Sequence, residues 1–539
     1  MNMAYRILVT DPINDAGLKL LKSAGDVEMD VIHGLSAAEL RERIAHYDAV
    51  ITRSGTSLDA AFFKAASGHL HIAARAGVGL ENIDVQAATL AGVMVMNIPE
   101  VNARAAAEHA FALLLALCRN VPQANARLRE GVWERQTFLG TQLAGKTLGV
   151  IGMGRIGRLV AARAIAFGME VIAFDPYVSE EIVDSLRVEL LEGLAEIFQR
   201  ADFITLHTQL TDETRNLLGA EEFACMKKGV RIVNTARGGL IDETALLEAL
   251  KSGQVAGAGL DVFQLEPVSG VSEALVQLPN VVATPHLGAS TLEAQDDVSI
   301  RIAQQVLDAL QGVGYRNVVN LPFDSDGDYR ALAPFMVLAE KIGSLQMQLL
   351  RGKVFSLSEL QAQVTYHGPD VQNHAKSLTV AMLKGLLTPI LGDSVNYVNA
   401  PQFAHDRGLT ISQAMLPGVE DYANVIACRV TVGDEKRLIV GTLLTHSTLR
   451  IVRIDEMPMD ALPSGFVLVI KSRDVPGVIG QVATLLGRAK LNIAEYRLGR
   501  DEPGGTALSF INLDSEAPET VLAELRSLEP IIEVKQVNL

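Results

Sequence analysis

The chain has 539 residues, 49% of them apolar and 20% charged. That is the composition of an ordinary globular protein, at a length too great for one core and fit for roughly three or four domains. The formal net charge of −16 excludes generic binding to nucleic acid or to anionic membrane surfaces, and an anionic ligand must be held by local arginines against the overall field.

The opening residues MNMAYRILVTDP run straight into an apolar strand, without the charged segment, apolar segment and cleavage site of a leader. The apolar stretch 110–118 is too short to span a bilayer. Cys118, Cys225 and Cys428 fit no disulfide or metal spacing. They read as small core residues in a reducing compartment, so a cytoplasmic location and no metal site are expected.

Residues 6–100 alternate short apolar strands (RILVT, VEMDVI, DAVITRS, HIAARAG, VMVMNIP) with helical segments such as 37–45. That rhythm predicts a parallel sheet with helical crossovers. Two strands end in Arg53-Ser54-Gly55-Thr56 and Arg75-Ala76-Gly77-Val78-Gly79. Each offers an arginine beside backbone N–H groups, a cradle for a carboxylate or phosphate, although alone each also suits a solvated turn. Residues 102–120 predict a long apolar helix, buried or at an interface. Trp133, the single tryptophan, follows in a polar loop and is expected to pack.

Residues 147–175 carry the strongest signal. An apolar strand, 147–151, meets Gly152, Gly154 and Gly157 in the G-x-G-x-x-G spacing; a helix is predicted over 155–167, and a second strand, 170–174, ends at Asp175. This is the dinucleotide fingerprint in its proper context, with pyrophosphate at the helix N-terminus and Asp175 placed to bind the ribose hydroxyls. A carboxylate there repels a 2′-phosphate, which favours NAD over NADP. Four more strands are predicted, DFITLHT, VRIVNTA, AGAGLDVF and NVVATPH, completing a six-stranded doubly wound sheet. A long helix over 291–310 then leaves the domain.

Ligands of open α/β sheets bind at the carboxyl ends of the strands, and three residues stand there: Arg237, Glu266 and His286. Together they suit hydride transfer at a carbinol carbon. His286 takes the hydroxyl proton, Glu266 orients and supports the imidazole, and Arg237 pins the substrate carboxylate.

Residues 320–460 mix helical stretches (333–350, 374–387) with strand-like ones (361–366, 425–432, 437–445), as in an α+β domain, with no catalytic constellation. The tail reads as βαββαβ, a ferredoxin-like module. The fold class is therefore α/β: two doubly wound Rossmann-like lobes with a cleft and hinges near 99 and 287, then an α+β domain and a ferredoxin-like one. The expected bounds are 1–99 with 287–318 for a substrate-binding lobe, 100–286 for the nucleotide-binding domain, 319–459 for the intervening domain and 460–539 for the tail.

GMGRIG, VNTARGGLIDETAL, GLDVFQLEP and TPHLGAST resemble the motifs of the NAD-dependent D-2-hydroxyacid dehydrogenases over residues 5–316. The long middle segment and the tail, which is similar to an ACT domain, resemble the long-form branch acting on 3-phosphoglycerate. The resemblance implies NAD-dependent oxidation of D-3-phosphoglycerate to 3-phosphohydroxypyruvate, the first step of L-serine biosynthesis, by a homo-oligomer (dimer or tetramer). It implies catalytic roles for Arg237, Glu266 and His286, and cofactor contacts from Arg155, Ile156, Asp175, Thr208, Ala236 and Asp261. It also implies substrate contacts from Arg53, Arg75 and Asn102, and from Arg135 of WERQTF reaching in from a neighbouring subunit. Val78 stands where relatives often carry a threonine, which leaves no side-chain hydrogen bond there. The ACT-like tail implies an amino-acid effector, L-serine, near Asp474 and Asn492, as against a plain dimerisation module. Two other functions stay open at this point: a dehydrogenase for another small 2-hydroxy acid, or an NAD(H)-sensing corepressor. The intact Arg–Glu–His set speaks against the second.

Overall fold

A computed structural model describes residues 4–99, 102–179, 186–323, 329–352, 355–417, 421–445 and 447–539. The chain forms two compact units, Met1–Ile98 with Ile300–Leu539, and Pro99–Ser299.

In Pro99–Ser299 the core is a parallel sheet of β6 (Thr147–Ile151), β7 (Glu170–Phe174), β8 (Glu189–Leu190), β9 (Phe203–Leu206), β10 (Val230–Asn234), β11 (Val255–Leu260) and β12 (Val281–Ala283). Their order is β12-β11-β10-β9-β6-β7-β8. The chain winds outward from β6 through β7 and β8, then returns to β9 on the other side of β6, so the crevice between β6 and β9 is the topological switch point. The sheet has seven strands where six were expected. The extra one, β8, is two residues long and offers no run in which a period could show. The helix expected over 102–120 is Ala103–Arg119, and it buries Ala107, Phe111, Leu114 and Cys118 against the sheet.

The other unit holds three sheets. The first is β1 (Tyr5–Val9), β2 (Val27–Val31), β3 (Ala49–Thr52), β4 (Ile72–Arg75) and β5 (Met94–Met96), parallel throughout in the order β2-β1-β3-β4-β5. Three of its helices begin at a side-chain cap. Ser36 and Glu39 form a capping box, and Asp59 and Asp84 accept from the backbone N–H three residues on.

The intervening region has a six-stranded sheet, β13 (Leu360–His367), β14 (Thr410–Leu416), β15 (Val425–Val432), β16 (Glu435–Leu443), β17 (Leu449–Ile454) and β18 (Met457–Ala461). Helices Tyr329–Leu349 and Ala375–Leu391 cover it, burying Ile342, Leu345 and Leu378 against Val364, Ile426 and Cys428.

The tail is β19 (Phe466–Arg473), β20 (Ile493–Arg500), β21 (Thr506–Leu513) and β22 (Ile531–Asn538), with helices Val478–Arg488 and Glu519–Ser527. Its antiparallel order β20-β21-β19-β22 is the ferredoxin-like one. One face of this sheet (Leu468, Ile470, Ile511, Val534) packs on its own helices. The opposite face (Val467, Val469, Phe510, Val537) belongs to the same core as the intervening sheet. The tail is thus fused to its neighbour by apolar burial.

Two expectations are corrected. Trp133 is 78% exposed; it lies in a polar loop after the helix Val121–Arg129, which buries none of its own residues. Cys118 and Cys428 are buried but Cys225 is exposed; its helix turns Phe223 inward, which leaves Cys225 on the other side. Burial pushes the Cys118 thiol up to about 11 and the Cys428 thiol up to about 12, so both are inert. Among the described residues no helix is long and apolar enough to cross a membrane, and no group of three or more His, Cys, Asp or Glu could hold a metal ion.

Candidate active site

The strand ends β10, β11 and β12 deliver Arg237, Glu266 and His286 respectively. Three residues past β10, Arg237 sits on a turn shaped by the buried Asn234. The Asn234 amide donates to Arg237 O at 2.9 Å, and its oxygen accepts from Ala236 N at 3.0 Å. At Gly238 a Cβ would overlap the Phe263 carbonyl, so only glycine lets the Arg237 turn lie against the loop that carries Glu266. Glu266 Oε1 accepts from Phe263 N at 3.0 Å, and Oε2 lies 2.8 Å from His286 Nδ1. His286 itself has φ +55, a left-handed conformation that costs energy for a residue with a side chain.

An ionised carboxylate only accepts, so Nδ1 carries the proton and Nε2 is left as the basic nitrogen. Nε2 has no hydrogen-bond partner among the described residues. The Glu266 bond holds the His286 pKa above its ordinary value, against burial, while the nearby Arg237 guanidinium works to lower it. Burial alone would raise the Glu266 pKa; the His286 bond and the Phe263 N–H outweigh it and hold the carboxyl below the ordinary range.

The nucleotide end is built at β6. Gly152 has φ +95, and a Cβ on it would fall 2.6 Å from His207 O at the end of β9, which requires glycine at the crevice. Nothing lies within 4 Å of a Cβ placed on Gly154, so the N-terminus of helix Arg155–Ala166 opens onto free space, as a pyrophosphate needs. Gly157 is buried in the first turn of that helix, Arg155 is exposed, and Ile156 packs against the core of the sheet. Asp175 Oδ2 accepts from Met153 N at 2.7 Å and Oδ1 from Tyr177 N at 2.9 Å, which fixes the carboxylate beside the glycine-rich turn. Thr208 and Ala236 are partly buried past β9 and β10. Buried His207 Nδ1 and Asn102 Oδ1 have no hydrogen-bond partner among the described residues, and groups orphaned in this way suit a ligand that brings its own donors and acceptors. The residues present fit NAD. Asp261 is fully buried, and its carboxylate is engaged by the turn that carries His286.

The other expected ligand residues lie in the first sheet. Arg53 follows β3 and Arg75 ends β4; one side chain that sequence reasoning missed joins them. Asn82 Oδ1 accepts from Arg75 Nε at 3.0 Å, and its amide donates to Arg53 O at 2.7 Å and to Thr56 O at 2.5 Å. Asp11, also missed, accepts from Arg53 N at 2.7 Å, Thr56 N at 3.1 Å and the hydroxyls of Thr52 and Thr56. The only signal for either was a polar residue close to an apolar strand. Arg135 is exposed and without a partner among the described residues.

In the tail, Asp474 lines a cavity of about 420 Å³ with Ser472, Gly477, Arg500 and Ser509. It accepts from Gly504 N at 3.0 Å and from Arg500 at 3.4 Å. Asn492 is not in that lining and donates to Asp514 at 2.7 Å.

A parallel nucleotide-binding sheet with Arg, Glu and His at three successive strand ends defines an NAD-dependent dehydrogenase of hydroxy acids. In agreement, residues 111–288 match the D-isomer specific 2-hydroxyacid dehydrogenase NAD binding domain. Residues 331–455 match the D-3-phosphoglycerate dehydrogenase intervening domain, and residues 466–530 the ACT domain. The chain is 42% identical to D-3-phosphoglycerate dehydrogenase of Methanocaldococcus jannaschii, over 99% of its own length and 100% of that protein. It is 41% identical to the enzyme of that name from Synechocystis sp., over 99% and 95%. A glyoxylate reductase from Paecilomyes thermophila superposes with TM-score 0.54 at 32% identity, covering 59% of this chain and 99% of that one. The chain belongs to the D-3-phosphoglycerate dehydrogenase family.

Proposed function

We propose that the protein oxidises D-3-phosphoglycerate to 3-phosphohydroxypyruvate with NAD, the first step of L-serine biosynthesis. The observation that carries the chemistry is the 2.8 Å pair of His286 Nδ1 and Glu266 Oε2 at the carboxyl edge of a nucleotide-binding sheet. Neutral His286 accepts the substrate hydroxyl proton at Nε2, and Glu266 stabilises the imidazolium that forms. Arg237 binds the substrate carboxylate and holds the reacting carbon in place. Bound NAD supplies the hydride acceptor. In the reverse direction the imidazolium returns the proton to the carbonyl oxygen.

Arg53, Arg75, Asn102 and Arg135 are assigned to the substrate anion groups. Arg135 lies in an exposed loop with Trp133, 78% exposed, and Leu139, 89% exposed; exposed apolar surface of this kind favours cover by a second copy. We therefore assign a homo-oligomer, a dimer or tetramer, in which Arg135 serves a neighbouring site. Mixing inactive Arg135→Ala and His286→Ala proteins should then restore part of the activity. The reducing cytoplasm is assigned as the location, in keeping with the exposed Cys225. The ACT domain is assigned L-serine as its effector. The intact proton relay disfavours a corepressor role. A substrate panel tests the reading: NADH oxidation should be fastest with 3-phosphohydroxypyruvate, and faster turnover of hydroxypyruvate or 2-oxoglutarate would assign a different hydroxy acid.

A further inference from the structure

We propose that His109 is a positioning residue for proton transfer, acting through Asp261 on the turn that presents His286. The inference rests on the reading of His286 as the proton relay.

Asp261 makes four of the hydrogen bonds that hold the turn over residues 284–288. Its Oδ1 accepts from the Thr284 hydroxyl at 2.6 Å and from Leu287 N at 2.7 Å, its Oδ2 from Gly288 N at 2.8 Å, and its backbone oxygen from His286 N at 2.9 Å. A histidine at φ +55 persists only where its surroundings over-determine it, and these four bonds do so. The Asp261 carboxylate has one further partner among the described residues, outside both its own loop and the turn. His109, on helix Ala103–Arg119, brings Nε2 to 3.1 Å from Asp261 Oδ1 and to 2.9 Å from Thr284 Oγ1.

The chemistry fixes which group donates. The Thr284 hydrogen is given to Asp261, so Oγ1 presents only lone pairs toward the imidazole, and the carboxylate accepts only. His109 Nε2 therefore carries a hydrogen shared between the two oxygens. Asp261 is fully buried. Burial alone would raise its pKa; the bond from His109, the bond from Thr284 and the Leu287 N–H outweigh burial and keep it ionised. Without His109 the buried carboxylate loses a donor, and the turn loses this hydrogen bond to the long helix. The fault then appears at His286, one residue before the two N–H groups that Asp261 holds, and not at the glycine-rich turn.

The test uses the full-length protein and whichever 2-oxo acid wild type reduces fastest among 3-phosphohydroxypyruvate, hydroxypyruvate and 2-oxoglutarate. His109→Phe keeps a ring and removes the donor. It should lower kcat on the order of 10- to 100-fold, the loss a displacement near 1 Å can cause, with NADH affinity by fluorescence titration within about threefold. His109→Gln, whose amide nitrogen reaches where Nε2 was, should recover most of the loss. Combined with His286→Ala, His109→Phe should slow the residual rate no further. If His109→Phe does not fold, Thr284→Val breaks the other end of the same bond, and the same split between kcat and affinity is expected. Wild-type kcat in these variants, or a loss that appears in NADH affinity, or no recovery with glutamine, overturns the proposal. A His286→Ala protein as fast as wild type fails at the relay itself and takes this inference with it, whereas a slow His286→Ala beside a fast His109→Phe fails here alone.

Discussion

Glu266 Oε2 and His286 Nδ1, delivered by the ends of neighbouring strands, stand 2.8 Å apart, and on the proposed proton relay that contact should set how the rate depends on pH. The Glu266 bond raises the His286 pKa above its ordinary value of about 6.5. Keto-acid reduction needs the imidazolium, so its rate is held at acid pH and falls as pH rises through the raised pKa; oxidation needs neutral imidazole and does the reverse. Glu266→Gln removes the stabilising charge but leaves an acceptor. The fall in the reduction profile should move to lower pH, with a loss of kcat smaller than that of His286→Ala. An unmoved kcat–pH profile would contradict the pairing.

The Asp175 carboxylate is fixed by Met153 N and Tyr177 N beside the glycine-rich turn, and we propose that it faces the ribose of NAD. NADPH should be used far less efficiently than NADH, and Asp175→Ser should narrow the gap in kcat/KM, chiefly by weakening NADH. Equal use of the two by wild type would show that Asp175 does not face the ribose.

Asn82 accepts from Arg75, which we propose binds an anionic group of the substrate. Hydrogen bonds to charged groups contribute about 1.5–3 kcal/mol, so Asn82→Ala should raise KM for 3-phosphohydroxypyruvate about 10- to 100-fold. The change in kcat should be much smaller, and an unchanged KM would remove Asn82 from the cradle.

Asp11 offers a stability test of the same loop. Burial works to raise its pKa, but the Arg53 N–H and the Thr52 and Thr56 hydroxyls outweigh it, so the pKa is lowered on folding. Such a carboxylate stabilises above its unfolded pKa of about 3.9, and that contribution is lost as pH falls through the lower folded value. The Tm deficit of Asp11→Asn should therefore be full near neutrality and shrink below about pH 4. A deficit that does not change with pH would assign the loss to something other than charge.

What the sequence disclosed and what it hid follow one physical rule. GMGRIG, the buried parallel strands and the βαββαβ tail are legible because each imposes a local period or a backbone demand that fixes residue types in order. The places of Arg237, Glu266 and His286 just past strand ends are legible because each follows an apolar strand closely in sequence. Asn82, Asp11 and His109 are not: each is one polar residue whose meaning comes from partners far along the chain, as with Asp11 and Arg53. Strand β14 is mostly exposed on both faces, so it shows no alternation, and β18 contains Pro458, which is tolerated only because it lies at the edge of its sheet.

Regulation is best tested by point substitution, since the ACT domain shares a core with the intervening sheet and its deletion would expose that core. Asp474 lines the cavity beside Gly477. Millimolar L-serine should slow wild type, and Asp474→Ala should weaken that inhibition with little change in uninhibited kcat. Wild type indifferent to L-serine, with no binding by calorimetry, leaves the tail as an assembly module.

On the proposed mechanism His286 moves the proton while the glycine-rich turn separately holds the nucleotide. Stopped-flow NADH oxidation with 3-phosphohydroxypyruvate, wild type against His286→Ala, tests it most directly. NADH affinity should be unchanged in His286→Ala, with a rate lower by about 10²–10⁴-fold. A near-normal rate in His286→Ala, or a loss explained by weakened NADH binding, would contradict it.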